Sequence, residues 1–183
     1  MTKKNFQGHL LVANPNNPRD DLEKAVILLI GHGVEKVFGL QINNPYDDLS
    51  VQNISSSIGI ELVDDARIYR GGSNNMGKIS FIHSTDWSGL STTFITEHLA
   101  LTNDISVLTA ISRGEGPEFY RACAGHWLWD RNQLDQQMDP HTSTRYKWEP
   151  VPATVETVFD SEGEEQWQTA LEASARYQVS AWF

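Results

Sequence analysis

A single cysteine, Cys123, among 183 residues excludes an internal disulfide, so the fold is held by packing alone. Long apolar runs are missing too. The longest, Ala25 to Ile30, is far short of the roughly 20 residues that a membrane-spanning helix needs. The opening Met1-Thr2-Lys3-Lys4-Asn5-Phe6-Gln7-Gly8 lacks the apolar core of a signal peptide, and a cytoplasmic protein without a membrane partner is expected. Positive charge is scarce. With 14 Lys and Arg against 24 Asp and Glu, the net charge is -10, which opposes direct binding to nucleic acid. The one adjacent basic pair, Lys3-Lys4, lies in a tail expected to be solvated.

Motif spacings are absent as well. No two of the histidines His9, His32, His83, His98, His126 and His141 fall three to five residues apart, so no single element carries a metal signature, and no metal site is expected. Gly71-Gly72 has neither the Gly-x-Gly-x-x-Gly nor the Gly-Lys-Ser/Thr spacing of a phosphate loop, and a strand follows it where those loops precede a helix. A hairpin turn with positive φ is the expectation there. Internal repeats, heptads, low-complexity blocks and long linkers are missing, which leaves one domain over residues 1–183.

What is present is an ordinary core complement, 39% apolar and 10% aromatic, arranged in short blocks. Gly8 to Ala13, Lys24 to Ile30 and Val37 to Ile42 read as strands, the second one buried on both faces; Asn14-Pro15-Asn16-Asn17-Pro18, Gly31-His32-Gly33 and Asn43-Asn44-Pro45 stop them. Val51, Ile54 and Ile58 follow helical spacing, with Ser50 as N-cap and Gly59 as stop. Ala66 to Arg70 and Lys78 to His83 are expected to pair as a hairpin across Gly71 to Asn75. Short strands at Thr92 to Ile95 and Leu99 to Leu101 precede a helix capped by Asn103 or Asp104, with Ile105, Leu108 and Ile111 on one face and Gly114 past its end.

Phe119 to Ala124 returns as a strand that is expected to turn sharply near Gly125. Asp130 and Gln133 then have the spacing of a capping box, with Leu134 and Met138 facing inward. Ser161 and Glu164 repeat that spacing before Trp167, Ala170, Leu171 and Ala175. Strands and short helices intermix along one unit. The fold class is therefore α+β, a single domain.

Together these motifs resemble the AlgH/YqgE family. Gly8-His9-Leu10-Leu11-Val12-Ala13-Asn14-Pro15 is similar to the family's opening, and Val26 to His32 followed by Phe38-Gly39-Leu40-Gln41-Ile42-Asn43-Asn44-Pro45 to its buried strand and Gly-Leu-x-x-Asn-x-Pro segment. Gly71-Gly72 with His83, and Ala124-Gly125-His126-Trp127 with Gln133-Leu134, resemble its paired glycines, later histidine and Ala-Gly-Trp junction. Ser73 stands where the family has proline, His126 is inserted before Trp127, Asp135 replaces a glutamate, and the match weakens beyond Pro140. The resemblance implies a mixed, partly barrel-like sheet flanked by short helices, with no known cofactor. It also implies a regulatory role, since family members are linked by name to alginate synthesis and transcription, although no biochemical activity is established.

Candidate chemistry gathers at strand ends. His32, Asn43, Arg70, Gly71, Gly72, His83, Gly125, Trp127 and Gln133 are expected to form a shallow polar pocket, and a protein partner or a small anionic ligand is expected. His32 and His83 suit a structural role, bonding loop backbone, better than a catalytic one. The competing expectation is a thiol- or histidine-dependent hydrolase using Cys123 or His126, with donors from Gly125 and the helix opening at Arg131. Trp127, Trp129, Trp148, Trp167 and Trp182 suit packing better than base stacking, since no basic residues interleave them. Of the adjacent pair Trp127 and Trp129, one ring is expected inward and one outward.

Overall fold

In the computed structural model, which describes residues 4–181, the apolar blocks become a 10-stranded sheet. Lys3 and Trp182 lie outside the described residues. In chain order the elements are β1 (His9–Ala13), β2 (Val26–His32), β3 (Lys36–Gln41), β4 (Pro45–Ser50), α1 (Val51–Ser57), β5 (Arg67–Arg70), β6 (Asn74–Ser84), β7 (Thr93–Phe94), β8 (Leu99–Thr102), α2 (Ser106–Ser112), β9 (Tyr120–Asp130), α3 (Arg131–Met138), β10 (Trp148–Pro152), α4 (Val155–Phe159) and α5 (Gly163–Ser180).

The main path runs β10-β1-β2-β3-β9-β6-β8-β7, with β5 on β9 and β4 on β5. Pairing is antiparallel except for β5 with β9, and the sheet curls into a half-barrel within a single domain. The mixed, partly barrel-like sheet expected from the resemblance is present. The flanking helices are short except α5, which has 18 residues.

Alternation along the central strands builds two cores. Tyr69, Ile82 and Cys123 face the larger one with Leu11, Ile27, Leu134, Trp148 and Trp167; their neighbours Ile68, Phe81, Ala122 and Ala124 face a smaller one closed by Val51, Val107 and Leu108. Trp127 and Trp129 share a face, as residues two apart in a strand do. Leu128 points the other way, exposed, so the expectation of one inward and one outward ring fails. The Arg121 guanidinium is buried, with no ion pair among the described residues. It donates to the carbonyls of Ile42 and Ser161 and to Gln166 Oε1, at 2.7, 3.2 and 2.9 Å, tying the start of α5 to the sheet.

Three local expectations are corrected. β5 and β6 do not form a hairpin: β9 lies between them, parallel to β5 and antiparallel to β6. Gly71-Gly72 carries the chain across β9, and neither glycine has positive φ. A Cβ on Gly72 would lie 2.1 Å from the His126 carbonyl carbon, and one on Gly71 2.4 Å from the Gly125 oxygen. Close backbone approach is what these glycines permit. The sharp turn near Gly125 is also absent. Gly125 takes φ +73° inside β9, which continues to Asp130 and exchanges β5 and β6 for β3 as neighbours.

Third, neither proposed capping box forms. Asp130 occupies the N-cap of α3 but makes no side-chain cap bond; Lys36 holds its carboxylate at 2.6 Å instead. The N-cap of α5 is Glu162, one residue after Ser161, and Ala175 is exposed while Ser174 faces inward. Ser50 does cap α1, with Asn53 completing its box, and Gly59 and Gly114 follow their helices at φ +78° and +69°. β4, β10 and α4 have no counterpart among the expected elements.

Candidate functional site

A cleft of about 560 Å³ opens where β3 ends, β4 begins and Gly72 passes over β9; its walls include Gln41, Tyr46, Arg70, Gly72, Met76 and Trp127. Strand alternation supplies the first wall. Gln41 is 4% exposed, and its Oε1 accepts from Trp127 Nε1 at 3.2 Å. An indole N–H can only donate, so that bond fixes the amide orientation. The Gln41 Nε2 amino group is left with no hydrogen-bond partner among the described residues, on a side chain that lines the cleft.

Arg70, at the end of β5, lies with its guanidinium carbon 4.2 Å from the centre of the Tyr46 ring. It has no ion pair or hydrogen bond from its side chain among the described residues. A guanidinium over an aromatic face, with no other partner, keeps donors available for a carboxylate or similar anion. Asp21 and Asp47 stand at the edges of the same cleft, exposed and likewise unpaired among the described residues.

Of the residues expected to meet in a pocket, Asn43, Arg70, Gly72 and Trp127 line this cleft. Asn43 is committed to structure. Its Oδ1 accepts from Val26 N, and its Nδ2 donates to the carbonyls of Lys24 and Gly163, at 2.9, 2.8 and 2.9 Å. Gly71 sits behind the cleft with both backbone groups used, donating to Ala124 O and accepting from Gln41 N, each at 2.8 Å.

The remaining four lie elsewhere. Gly125 borders a hollow of about 140 Å³ with Phe38, Lys78 and His126. Gln133 lines a neighbouring hollow that shares Trp127 and Asp21 with the cleft. His32 lies toward the N-terminal segment, where its Nδ1 accepts from Phe6 N at 3.0 Å and its ring stacks on Phe6. Burial, then the neighbouring Arg131, lower its pKa, against the pull of Asp135. His83 is fully buried: Nδ1 donates to Ser84 O at 2.8 Å and Nε2 accepts from the Thr102 hydroxyl at 2.9 Å, with Trp87 edge-on. Desolvation lowers its pKa, and both nitrogens are used by the neutral ring.

The chemistry of a thiol enzyme is poorly served. Cys123 is fully buried, with Sγ 3.9 Å from Gln41 O, and burial pushes its pKa up to about 12. His126 is half-buried against Phe38, with its pKa lowered by desolvation and then by Lys78; it borders the small hollow, where Cys123 has no surface. Among the described residues no group of three or more His, Cys, Asp or Glu is placed to hold a metal ion. No helix among them is long and apolar enough to cross a membrane.

Gln41, Tyr46 and Met76 were not among the expected pocket residues. Gln41 lay in a legible strand, but its partner Trp127 is far away in sequence. Tyr46 sits on β4, whose Pro-Tyr-Asp-Asp-Leu-Ser composition gives no strand signal.

Comparison with known proteins agrees with this architecture. A UPF0301 protein of Rhodospirillum rubrum is 30% identical over 167 residues, 90% of this chain and 84% of that protein. A UPF0301 protein of Methylococcus capsulatus is 29% identical, covering 90% and 88%. The solution structure of the AlgH protein from Pseudomonas aeruginosa superposes with a TM-score of 0.73 at 25% identity, covering 94% of this chain and 90% of that one. The sequence pattern of AlgH-like proteins matches residues 10–176, well past Pro140, where the resemblance had weakened. The chain therefore belongs to the AlgH-like family, whose biochemical activity is not established.

Proposed function

We propose that this protein is a ligand-binding module, cytoplasmic, whose cleft takes a small molecule through an anionic group held at Arg70. The observation that carries this reading is the pairing of two uncommitted donors, the Arg70 guanidinium on Tyr46 and the Gln41 amino group, beside the Trp127 indole in one concavity. Binding sites of this size combine apolar walls with a few convergent polar groups. The bound state would be read by a protein partner. Direct contact with DNA is disfavoured by the net charge of -10, and a role in transcription would run through that partner.

The hydrolase alternative has no supporting geometry, since Cys123 is enclosed and shares no hollow with His126. A thermal-shift screen of small carboxylates, phosphate and nucleotides tests the proposal on wild type and Arg70→Gln. Stabilisation by a carboxylate that disappears in Arg70→Gln supports it. Stabilisation that survives the substitution, or none with any compound, removes it.

A further inference from the structure

We infer that the ligand is a zwitterion, an α-amino acid or a short peptide with free termini, its carboxylate at Arg70 and its ammonium toward Asp21. This rests on the cleft reading above and specifies the occupant.

The first support is continuity. The cleft and an adjacent groove of about 400 Å³ share Asp21, Gln41, Asn43, Asn44 and Gly163, so the two form one channel. Its charges differ along its length: Arg70 and Asp47 belong only to the first part, Asp20, Glu23, Lys24 and Glu164 only to the second, and Asp21 to both.

The second support is which charges are already used. Asp20 accepts from the Tyr146 hydroxyl at 2.6 Å and pairs with Arg145 at 3.3 Å; Glu164 pairs with Lys24 at 2.7 Å. Asp21 and Glu23 have no side-chain partner among the described residues, and neither has Asp47 beside Tyr46. Among the described residues, one free guanidinium thus shares the channel with three free carboxylates, Asp21, Glu23 and Asp47. Such a surface repels phosphate or a nucleotide, each carrying more than one negative charge, but accommodates a carboxylate whose own molecule brings a compensating ammonium.

The third support lies between the ends. The Gln41 amino group, on a side chain 4% exposed that lines the cleft, has no acceptor among the described residues and is placed to receive a carbonyl oxygen. Trp127 and the exposed Met76 offer apolar surface for a side chain.

Calorimetric titration of the full chain tests the inference with glycyl-phenylalanine, its N-acetyl form, its C-terminal amide, phenylalanine, benzoate and inorganic phosphate. Glycyl-phenylalanine or phenylalanine is expected to bind, the tighter of the two identifying peptide or amino acid as the source. Acetylation and amidation should each weaken binding by at least about tenfold, the scale of one lost charge contact. Arg70→Gln should abolish the effect of amidation, and Asp21→Asn that of acetylation. Benzoate or phosphate binding as tightly as the zwitterions, with acetylation harmless, overturns the zwitterion while leaving an anion cleft. No heat from any probe overturns both readings.

Discussion

Single side chains decide which chemistry this molecule supports. Cys123 is a candidate nucleophile by sequence, and its position on the face toward the larger core makes it a small packed residue instead. Iodoacetamide should leave the native thiol unmodified over the time in which it labels the denatured chain completely; equal labelling of both would contradict the burial. His83 makes a second case. Its native pKa lies below the ordinary 6.5, so the unfolded chain takes up the proton first as pH falls. The stability that the neutral ring contributes is complete above pH 6.5 and is lost as pH falls from there toward its lowered native value. Denaturant unfolding should show wild type weakening across that acid window, with a shallower slope in His83→Gln. An equal slope would place the acid sensitivity on other groups.

At the level of elements, the legible features were those specified by neighbours in sequence. β1, β2, β3, α1 and α2 follow from apolar runs and from Ser50, Gly59 and Gly114 at their ends. Apart from the faces of Trp127 and Trp129 and the cap at Ser161, what failed was specified across distance. Gly71-Gly72 looks like a turn to any local reading, because nothing nearby shows that β9, some fifty residues later, will pass beneath it. Gly72→Ala should cost about 3 kcal/mol or more through backbone overlap with His126, beyond ordinary overpacking. Gly77→Ala, with open space around the added methyl, should change unfolding free energy by less than about 0.5 kcal/mol. Similar costs at the two sites would contradict the crossing.

Caps separate in the same way. Asp130 has the right spacing for a box with Gln133, yet Lys36 arrives from β3 and holds its carboxylate in an exposed ion pair. Asp130→Ala should therefore cost less than about 1 kcal/mol, as exposed pairs do. Thr154, whose hydroxyl accepts from Thr157 N at 3.2 Å, is a working cap of α4, and Thr154→Ala should cost about 1 kcal/mol or more. Chemical denaturation of both variants, with the order reversed, would show that spacing outweighs geometry.

On the scale of the whole molecule, a curled sheet brings together segments that the sequence keeps apart: the end of β3, the start of β4, the crossing at Gly72 and the middle of β9. Reading donors and aromatics at the strand ends put Asn43, Arg70, Gly72 and Trp127 in that neighbourhood, because these are the ends that the curl gathers. It could not separate Asn43, whose side chain is spent on Val26, Lys24 and Gly163, from Gln41, whose amino group is free. Nor did it exclude His32 and His83, which the curl carries to other regions.

The central claim is that ligand enters between Arg70 and Trp127. Nitrogen-resolved NMR of the Trp127 indole N–H and the Gln41 amino group during titration with glycyl-phenylalanine tests it most directly. Both signals should shift together and saturably, and stay still in Arg70→Gln. Shifts confined to residues around His126 and Phe38, or none at all, would contradict it.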